Sequence, residues 1–326
     1  MATPVVVCTW GAGPDGLPSG IDELLTLGRK VSAALNGPLH WLTLGAAPAS
    51  AGAVAAQFGA AGVDRIADSK LEGFSADAWV EALAQYCAQM APRVVLFSQT
   101  FEARLVVPRL AGRLGATVVM NATDLDVGGD TVRVTAAAYG GDTRAVYELG
   151  GAGPCLASVM PNAVAPAPVD RPAADLPVRD VAVTLGAVTE RVRVVSRAQT
   201  TGPRLEDAQV IVAGGRGLGS KEKFQLVEDL AQALGGMAGA SRPIVDDGWT
   251  DASRQVGLTG KITRPALYVA AGISGASQHM AGCAASKNLV AINRDPDAPI
   301  FRYARYGLVG DCLEILPELI RAAKGA

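Results

Sequence analysis

Histidine is nearly absent from this sequence: His40 and His279 are the only two. So thin a supply is a poor basis for a metal cluster or a histidine-dependent hydrolase triad. The five cysteines, Cys8, Cys87, Cys155, Cys283 and Cys312, contain no C-x-x-C pair and are odd in number. That argues against zinc and against a disulfide framework, and for reduced thiols in a cytoplasm-like compartment. No basic block occurs, with 29 Lys+Arg against 31 Asp+Glu, so nucleic acid is not an expected partner. No apolar run reaches membrane-spanning length, and the first residues lead straight into a strand pattern. Neither membrane insertion nor a signal or transit peptide is expected.

What is present is apolar and rich in glycine. Hydrophobic residues make up 49% of the 326 and charged residues 18%, a profile of large buried sheets rather than disorder. The 38 glycines imply repeated tight strand-to-helix turns. In the first half, β-type runs at 4–10, 40–44, 93–97 and 116–120 alternate with helical periodicity at 21–35, 76–90 and 104–114. Ser75 stands at the N-cap of the second helix, whose Trp79, Leu83, Tyr86 and Cys87 share a face. Pro108 is tolerable only near the first turn of the third. Two more strand runs, 131–136 and 144–149, flank the turn residues Gly140, Gly141 and Asp142 and read as an antiparallel addition. Five prolines between 161 and 177 mark an extended excursion, and a strand-like run follows at 191–195.

The length suits two domains, with a boundary expected near 198–205 and domains at 1–197 and 198–326. The second starts a new alternation: strands at 209–213, 266–273 and 288–293, helices at 221–234 and 312–323, and a loop with a short helix at 274–283. The fold class is α/β, each domain a mostly parallel sheet flanked by helices.

Candidate chemistry gathers in the second domain. The run Gly214-Gly215-Arg216-Gly217-Leu218-Gly219 follows a buried-type strand, where glycine lets backbone N–H groups approach an anion. It stops short of G-x-G-x-x-G, and a plain turn that packs a helix on a strand is an equal reading. Arg216 favours pyrophosphate or an aromatic face. Ser241 and Thr259 are small hydroxyls beside turns, which serve as ligand donors or as ordinary caps, and Arg242 suits either a ligand or a surface ion pair. Gly272 and Ile273 end a strand, and Ser274, Gly275, Ala276, Ser277, Gln278 and His279 open a helix beyond it. In open α/β sheets ligands sit at such carboxyl ends. Asn293 closes the next strand. Asp311 is either the N-cap of the last helix or a partner for a sugar or adenine.

These segments, together with 255–260 and 290–301, resemble the α subunit of electron-transfer flavoproteins (the FixB family) in order and spacing over 210–317. The resemblance implies a Rossmann-like C-terminal FAD-binding domain. It also implies an N-terminal α/β domain that contacts a β subunit holding AMP or a second FAD. Carried over by motif, Arg216, Ser241, Arg242, Gln255, Val256, Gly257, Leu258, Thr259, Ser274, Gly275, Ala276, Ser277, Gln278, His279, Asn293, Asp311 and Cys312 would line the FAD. Arg242 would lie against the isoalloxazine, with Thr259 facing N5 and His279 on the O2 side. Gln255, Asn293 and Asp311 would run along the ribityl–adenine portion. Arg242 and His279 are expected to bring positive charge or donors to the flavin.

The family role implies electrons taken from flavoprotein dehydrogenases of the acyl-CoA or methylated-amine kind and passed to a quinone-linked oxidoreductase in the bacterial cytoplasm. Other readings are a bifurcating-type subunit accepting hydride from NADH and a nucleotide-binding subunit without redox turnover. Three positions depart from the family pattern: Leu258 for glutamine, Ser277 for a branched apolar residue and Cys283 for methionine. Trp10 and Trp41 find no role in this reading.

Overall fold

The structure is a computed structural model that describes residues 3–11, 16–18, 20–129, 131–138, 143–151, 153–161, 163–172, 174–189, 191 and 204–325. The chain divides into two compact units, one formed by Met1–Ala137 and Arg144–Arg197, the other by Ala198–Ala326 with Ala138–Thr143. Gly140, Gly141 and Asp142, most of the run 191–195 and most of the expected boundary 198–205 lie outside the described residues.

The first unit runs β1 Val5–Trp10, α1 Ile21–Ala34, β2 Leu39–Leu44, α2 Ala51–Gln57, β3 Gly62–Ile66, α3 Ala76–Met90, β4 Val94–Ser98, α4 Phe101–Leu114, β5 Thr117–Gly128, β6 Thr131–Ala138, β7 Thr143–Leu149, β8 Cys155–Val159 and β9 Val178–Asp180. Among the described residues its sheet has the order β7-β6-β5-β8-β4-β1-β2-β3-β9. It is parallel from β5 to β9, and β6 adds antiparallel to β5. Successive side chains point to opposite faces, and both faces are covered. Val5, Val7, Trp41 and Leu96 bury on one side, Val6, Cys8, Leu42 and Phe97 on the other, the pattern of a parallel sheet between two helical layers. The proline-rich stretch from 161 to 177 holds neither helix nor strand among its described residues.

Local chemistry sets the helix ends. Ser75 Oγ accepts from Ala78 N–H at 3.2 Å, starting α3, and Trp79, Leu83, Tyr86 and Cys87 are buried on one face as expected. Thr100 Oγ1 accepts from Ala103 N–H at 3.1 Å, so α4 begins three residues before the expected 104. Pro108 therefore lies in the helix interior, where it has no N–H for the Arg104 carbonyl. The two unassigned tryptophans are packing residues. Trp41 Nε1 donates to Thr9 Oγ1 at 2.8 Å in the core. Trp10 packs against Trp79 and Phe97 with ring centroids 5.0 and 6.0 Å apart.

The second unit runs β10 Val210–Gly214, α5 Gln225–Ala233, β11 Met237–Ala240, α6 Arg242–Asp246, β12 Leu267–Ala271, α7 Ser277–Met280, β13 Leu289–Asn293, β14 Tyr306–Val309 and α8 Cys312–Ala323. Its five strands are all parallel in the order β11-β10-β12-β13-β14. The strand order thus reverses between β10 and β12, which makes their carboxyl ends the switch point of a doubly wound sheet.

One buried carboxylate ties four elements of the first unit together. Asp64 of β3 is 1% exposed. Its oxygens accept from Tyr86 of α3 at 2.7 Å and from Arg179 of β9 at 2.9 Å, and Nδ1 of His40 on β2 lies 3.4 Å away. Burial raises its pKa, but His40, Arg179 and Tyr86 outweigh that and hold it at about 2. A carboxylate with a lowered folded pKa stabilises the fold above its unfolded pKa, and that share is lost as pH falls through the folded value. Asp64→Asn is therefore expected to cost about 2 kcal/mol at pH 7. The gap to wild type should close between pH 4 and pH 2, as checked by denaturant unfolding across that range.

Candidate functional site at the switch point of the second sheet

The glycine turn after β10 and the turn after β12 are built against one another. Gly215 N–H donates to the Ala271 carbonyl at 2.9 Å, and Gly217 N–H to the Gly272 carbonyl at 3.0 Å. A Cβ on Gly217 would stand 2.6 Å from Gly272 Cα. Gly272 has φ +64, and a Cβ there would meet Gly217 Cα at 2.7 Å. The glycines serve the close approach of two strand-end loops, and one of them also serves a left-handed backbone.

Other strand ends join this floor. Ser241 N–H donates to the Gly214 carbonyl at 3.0 Å and Val256 N–H to the Ala240 carbonyl at 2.9 Å. Leu258 N–H donates to the Gln278 carbonyl at 2.7 Å, which fixes the 255–260 loop to the start of α7. The Gly275 backbone, at φ +87, is held where a Cβ would strike the Ile300 amide at 2.3 Å. Asn293 Nδ2 donates to the Ile273 carbonyl at 2.9 Å, while its Oδ1 accepts from Asp295 N–H at 3.0 Å. Gly310 N–H donates to the Asn293 carbonyl at 3.0 Å. The Cys312 thiol points at the Gly217 carbonyl, 3.7 Å away. The sequence-derived candidates thus form one connected rim.

Their exposure sorts them. Arg216, Arg242, Leu258, Thr259, Ser274, Ala276, Gln278 and Asp311 are exposed; Ser277 and Asn293 are half-buried; Ser241, Gln255, Val256, Gly257, Gly275, His279 and Cys312 are buried. Arg216 pairs with Asp247 at 3.2 Å and Arg242 with Asp246 at 3.1 Å, both on or just after α6. The i,i+4 spacing of Arg242 and Asp246 carried a signal for that pair. Such solvent-exposed pairs are weak, so these guanidiniums remain available to a stronger anion. Asp311 Oδ1 caps α8 by accepting from Leu313 N–H at 2.9 Å. Gln255 Nε2 donates to Thr259 Oγ1 at 3.0 Å, which leaves the threonine hydroxyl proton free to donate.

His279 is 7% exposed. Burial pushes its pKa down to about 4, against a smaller opposite effect of the Val256 carbonyl. At neutral pH it is uncharged, so a positive charge from His279 is not what the interior offers. The one partner of its ring that the sequence did not suggest is Tyr268, whose hydroxyl lies 3.0 Å from Nε2. Burial also pushes the Cys283 thiol up to about 12 and raises that of Cys312, so neither is a thiolate nucleophile at neutral pH. Among the described residues no group of three or more His, Cys, Asp or Glu is placed to hold a metal ion. None of the described helices is long and apolar enough to cross a membrane. A depression of about 530 Å³ lined by Thr3, Cys87, Arg93 and Pro154 lies at the amino ends of β1, β4 and β8, the end of a parallel sheet opposite to that used by ligands.

Comparison with known proteins bears on the same region. Residues 20–185 match the electron transfer flavoprotein domain model, and residues 204–284 match the electron transfer flavoprotein FAD-binding domain. The electron transfer flavoprotein subunit alpha of Bacillus subtilis is 35% identical over 303 residues, 93% of this chain and 92% of the relative. Protein FixB of Clostridium saccharobutylicum is 36% identical over 308 residues, 93% and 91% of the two chains. The subunit alpha of Clostridium acetobutylicum is 38% identical over 273 residues, 81% of each. This chain belongs to the electron-transfer flavoprotein α-subunit family. Within the family match, 204–284 contains Arg216 through His279, while Asn293, Asp311 and Cys312 lie beyond it and join the site through β13, β14 and α8.

The donor set fits the dinucleotide of that family: two exposed guanidiniums, small hydroxyls, amides and a glycine floor where backbone comes close. Gly272→Ala is expected to destabilise the second unit by about 1–3 kcal/mol through the forced left-handed backbone, before the 2.7 Å contact with Gly217 is counted. Denaturant unfolding of the variant against wild type measures this.

Proposed function

We propose that this chain binds one FAD at the carboxyl ends of β10–β14 and acts as the α subunit of a two-chain electron carrier. The observation that carries the reading is the joining of all the strand-end loops into one rim at the switch point, with glycine backbone beneath and guanidiniums at the edge. When bound, FAD supplies the redox chemistry. The residues of this chain hold and orient it.

Backbone of the turn after β10 admits the pyrophosphate, and Arg216 gives it counter-charge. Arg242 stands for the isoalloxazine edge, together with the free hydroxyl proton of Thr259 and the backbone of Val256 and Gly257. Ser241 lines the buried side. Gln255, Asn293 and Asp311 serve the ribityl and adenine portions, Ser274 to Gln278 line the crevice, and Cys312 braces the glycine turn. A β subunit that holds AMP or a second FAD completes the particle. Flavoprotein dehydrogenases, acyl-CoA or methylated-amine oxidising among them, deliver electrons in the bacterial cytoplasm, and a quinone-linked oxidoreductase receives them.

Co-expression with a β-type partner, followed by an absorption spectrum and nucleotide analysis, tests this. A yellow complex with FAD is expected; a colourless one that takes up no FAD overturns the reading, and rapid reduction by NADH alone would replace the dehydrogenase donors. In that complex Arg242→Ala is expected to weaken FAD binding about 10-fold or more, the worth of a charge-assisted hydrogen bond, as followed by flavin fluorescence in titrations of the deflavo complex. Leu258, 48% exposed, offers no amide where the family carries glutamine. Leu258→Gln is expected to shift the flavin midpoint potential, and indistinguishable potentiometric curves would count against any role for that position.

A further inference from the structure

An imidazole affects its surroundings differently according to which nitrogen carries the proton. Around His279 the neighbouring groups decide this. Tyr268 is the second residue of β12, between Ile211 of β10 and Leu289 of β13, and its side chain is wholly enclosed. Burial raises its phenol pKa well above the ordinary value, so the hydroxyl keeps its proton wherever the protein is folded. That proton has two acceptors in reach, Nε2 of His279 at 3.0 Å and the sulfur of Cys283. Imidazole nitrogen is a good acceptor and thiol sulfur a weak one. Cys283 meanwhile aims its own S–H at the His279 carbonyl, 3.6 Å away. On the far side of the ring, Nδ1 is buried with no partner in hydrogen-bonding geometry, and the Val256 carbonyl favours a proton on the ring.

We propose that Tyr268 is a positioning residue that donates to Nε2 of His279 and so fixes the imidazole as the neutral tautomer with its proton on Nδ1. The ring then offers the crevice an oriented dipole and no full charge, and positive charge is left to Arg216 and Arg242 on the rim. Its consequence for a flavin rests on the function proposed above; the place of the proton does not.

Because His40 and His279 are the only histidines, ¹⁵N-histidine labelling of the full chain, assembled with unlabelled partner, yields two imidazoles, and His40→Gln assigns them. Long-range ¹H–¹⁵N spectra at pH 7 should show a protonated Nδ1 and an unprotonated, hydrogen-bonded Nε2 for His279. Tyr268→Phe keeps the ring and removes only the oxygen; it should shift the Nε2 resonance and admit the Nε2–H tautomer. A proton on Nε2 in wild type, a doubly protonated ring, or an unchanged His279 pattern in Tyr268→Phe overturns the proposal. A complex without flavin that still gives the Nδ1–H pattern would remove the proposed function and leave the tautomer assignment standing.

Discussion

The contact between the Gly217 and Gly272 backbones is the constraint on which the site depends. Two loops from strands on either side of a switch point are pressed together so closely that neither can carry a Cβ, and the Gly217 N–H is used to hold them. Everything else takes its place from that join. Ser241 hangs from the last residue of β10, the Cys312 thiol reaches the Gly217 carbonyl, and Asn293 binds the loop on the Gly272 side. A looser approach would leave a set of separate polar loops in place of one rim. The requirement is steric rather than electrostatic, which is why glycine, and not merely a small residue, occupies both positions.

Charge is distributed according to what burial permits. The guanidiniums of Arg216 and Arg242 lie at the exposed edge, paired only with solvated carboxylates, where holding a cation is inexpensive. The enclosed groups are all neutral near pH 7: His279 with its pKa near 4, Cys283 with its thiol near 12, and Tyr268. A cation placed where His279 lies would need a buried counter-ion to offset its lost hydration. The first unit shows the other solution. There a charge is buried, and Asp64 stays ionised because Arg179, Tyr86 and His40 converge on it from three elements.

Much of this was legible in the sequence because the signals were local. Apolar runs gave β1, β4, β10 and β13, and the hydroxyl–helix pattern at Ser75 gave α3. The glycine clusters marked the loops that meet. What escaped had weak local signals and strong tertiary ones. The strand β11, Met237–Ala240, is made of small residues that owe their conformation to pairing with β10. The three residues of β9 are held at the sheet edge by Arg179–Asp64 and Arg65–Asp180. Central β8, Cys155–Val159, lies between two strands that precede it in the chain, an arrangement no periodicity encodes. Pro108 misled because propensity was weighed without the Thr100 cap, which sets the start of α4. The partnership of Tyr268 with His279 spans a strand, a turn and a helix, and only the folded backbone brings the two together.

Both sheets contain a switch point, and the two differ in side-chain volume there. In the first, strand order reverses between β1 and β4, and Trp10 at the end of β1 packs its tilted ring against Trp79 and Phe97. In the second, the corresponding strand ends carry Gly214 and Ala271, followed by Gly215 and Gly272. The same backbone topology therefore places Trp10 at one switch point and glycines packed backbone to backbone at the other. Residues without side chains let a ligand come close to the backbone, whereas packed rings suit a structural core. Topology alone would nominate either unit for the cofactor. The family match to an FAD-binding domain falls on the second.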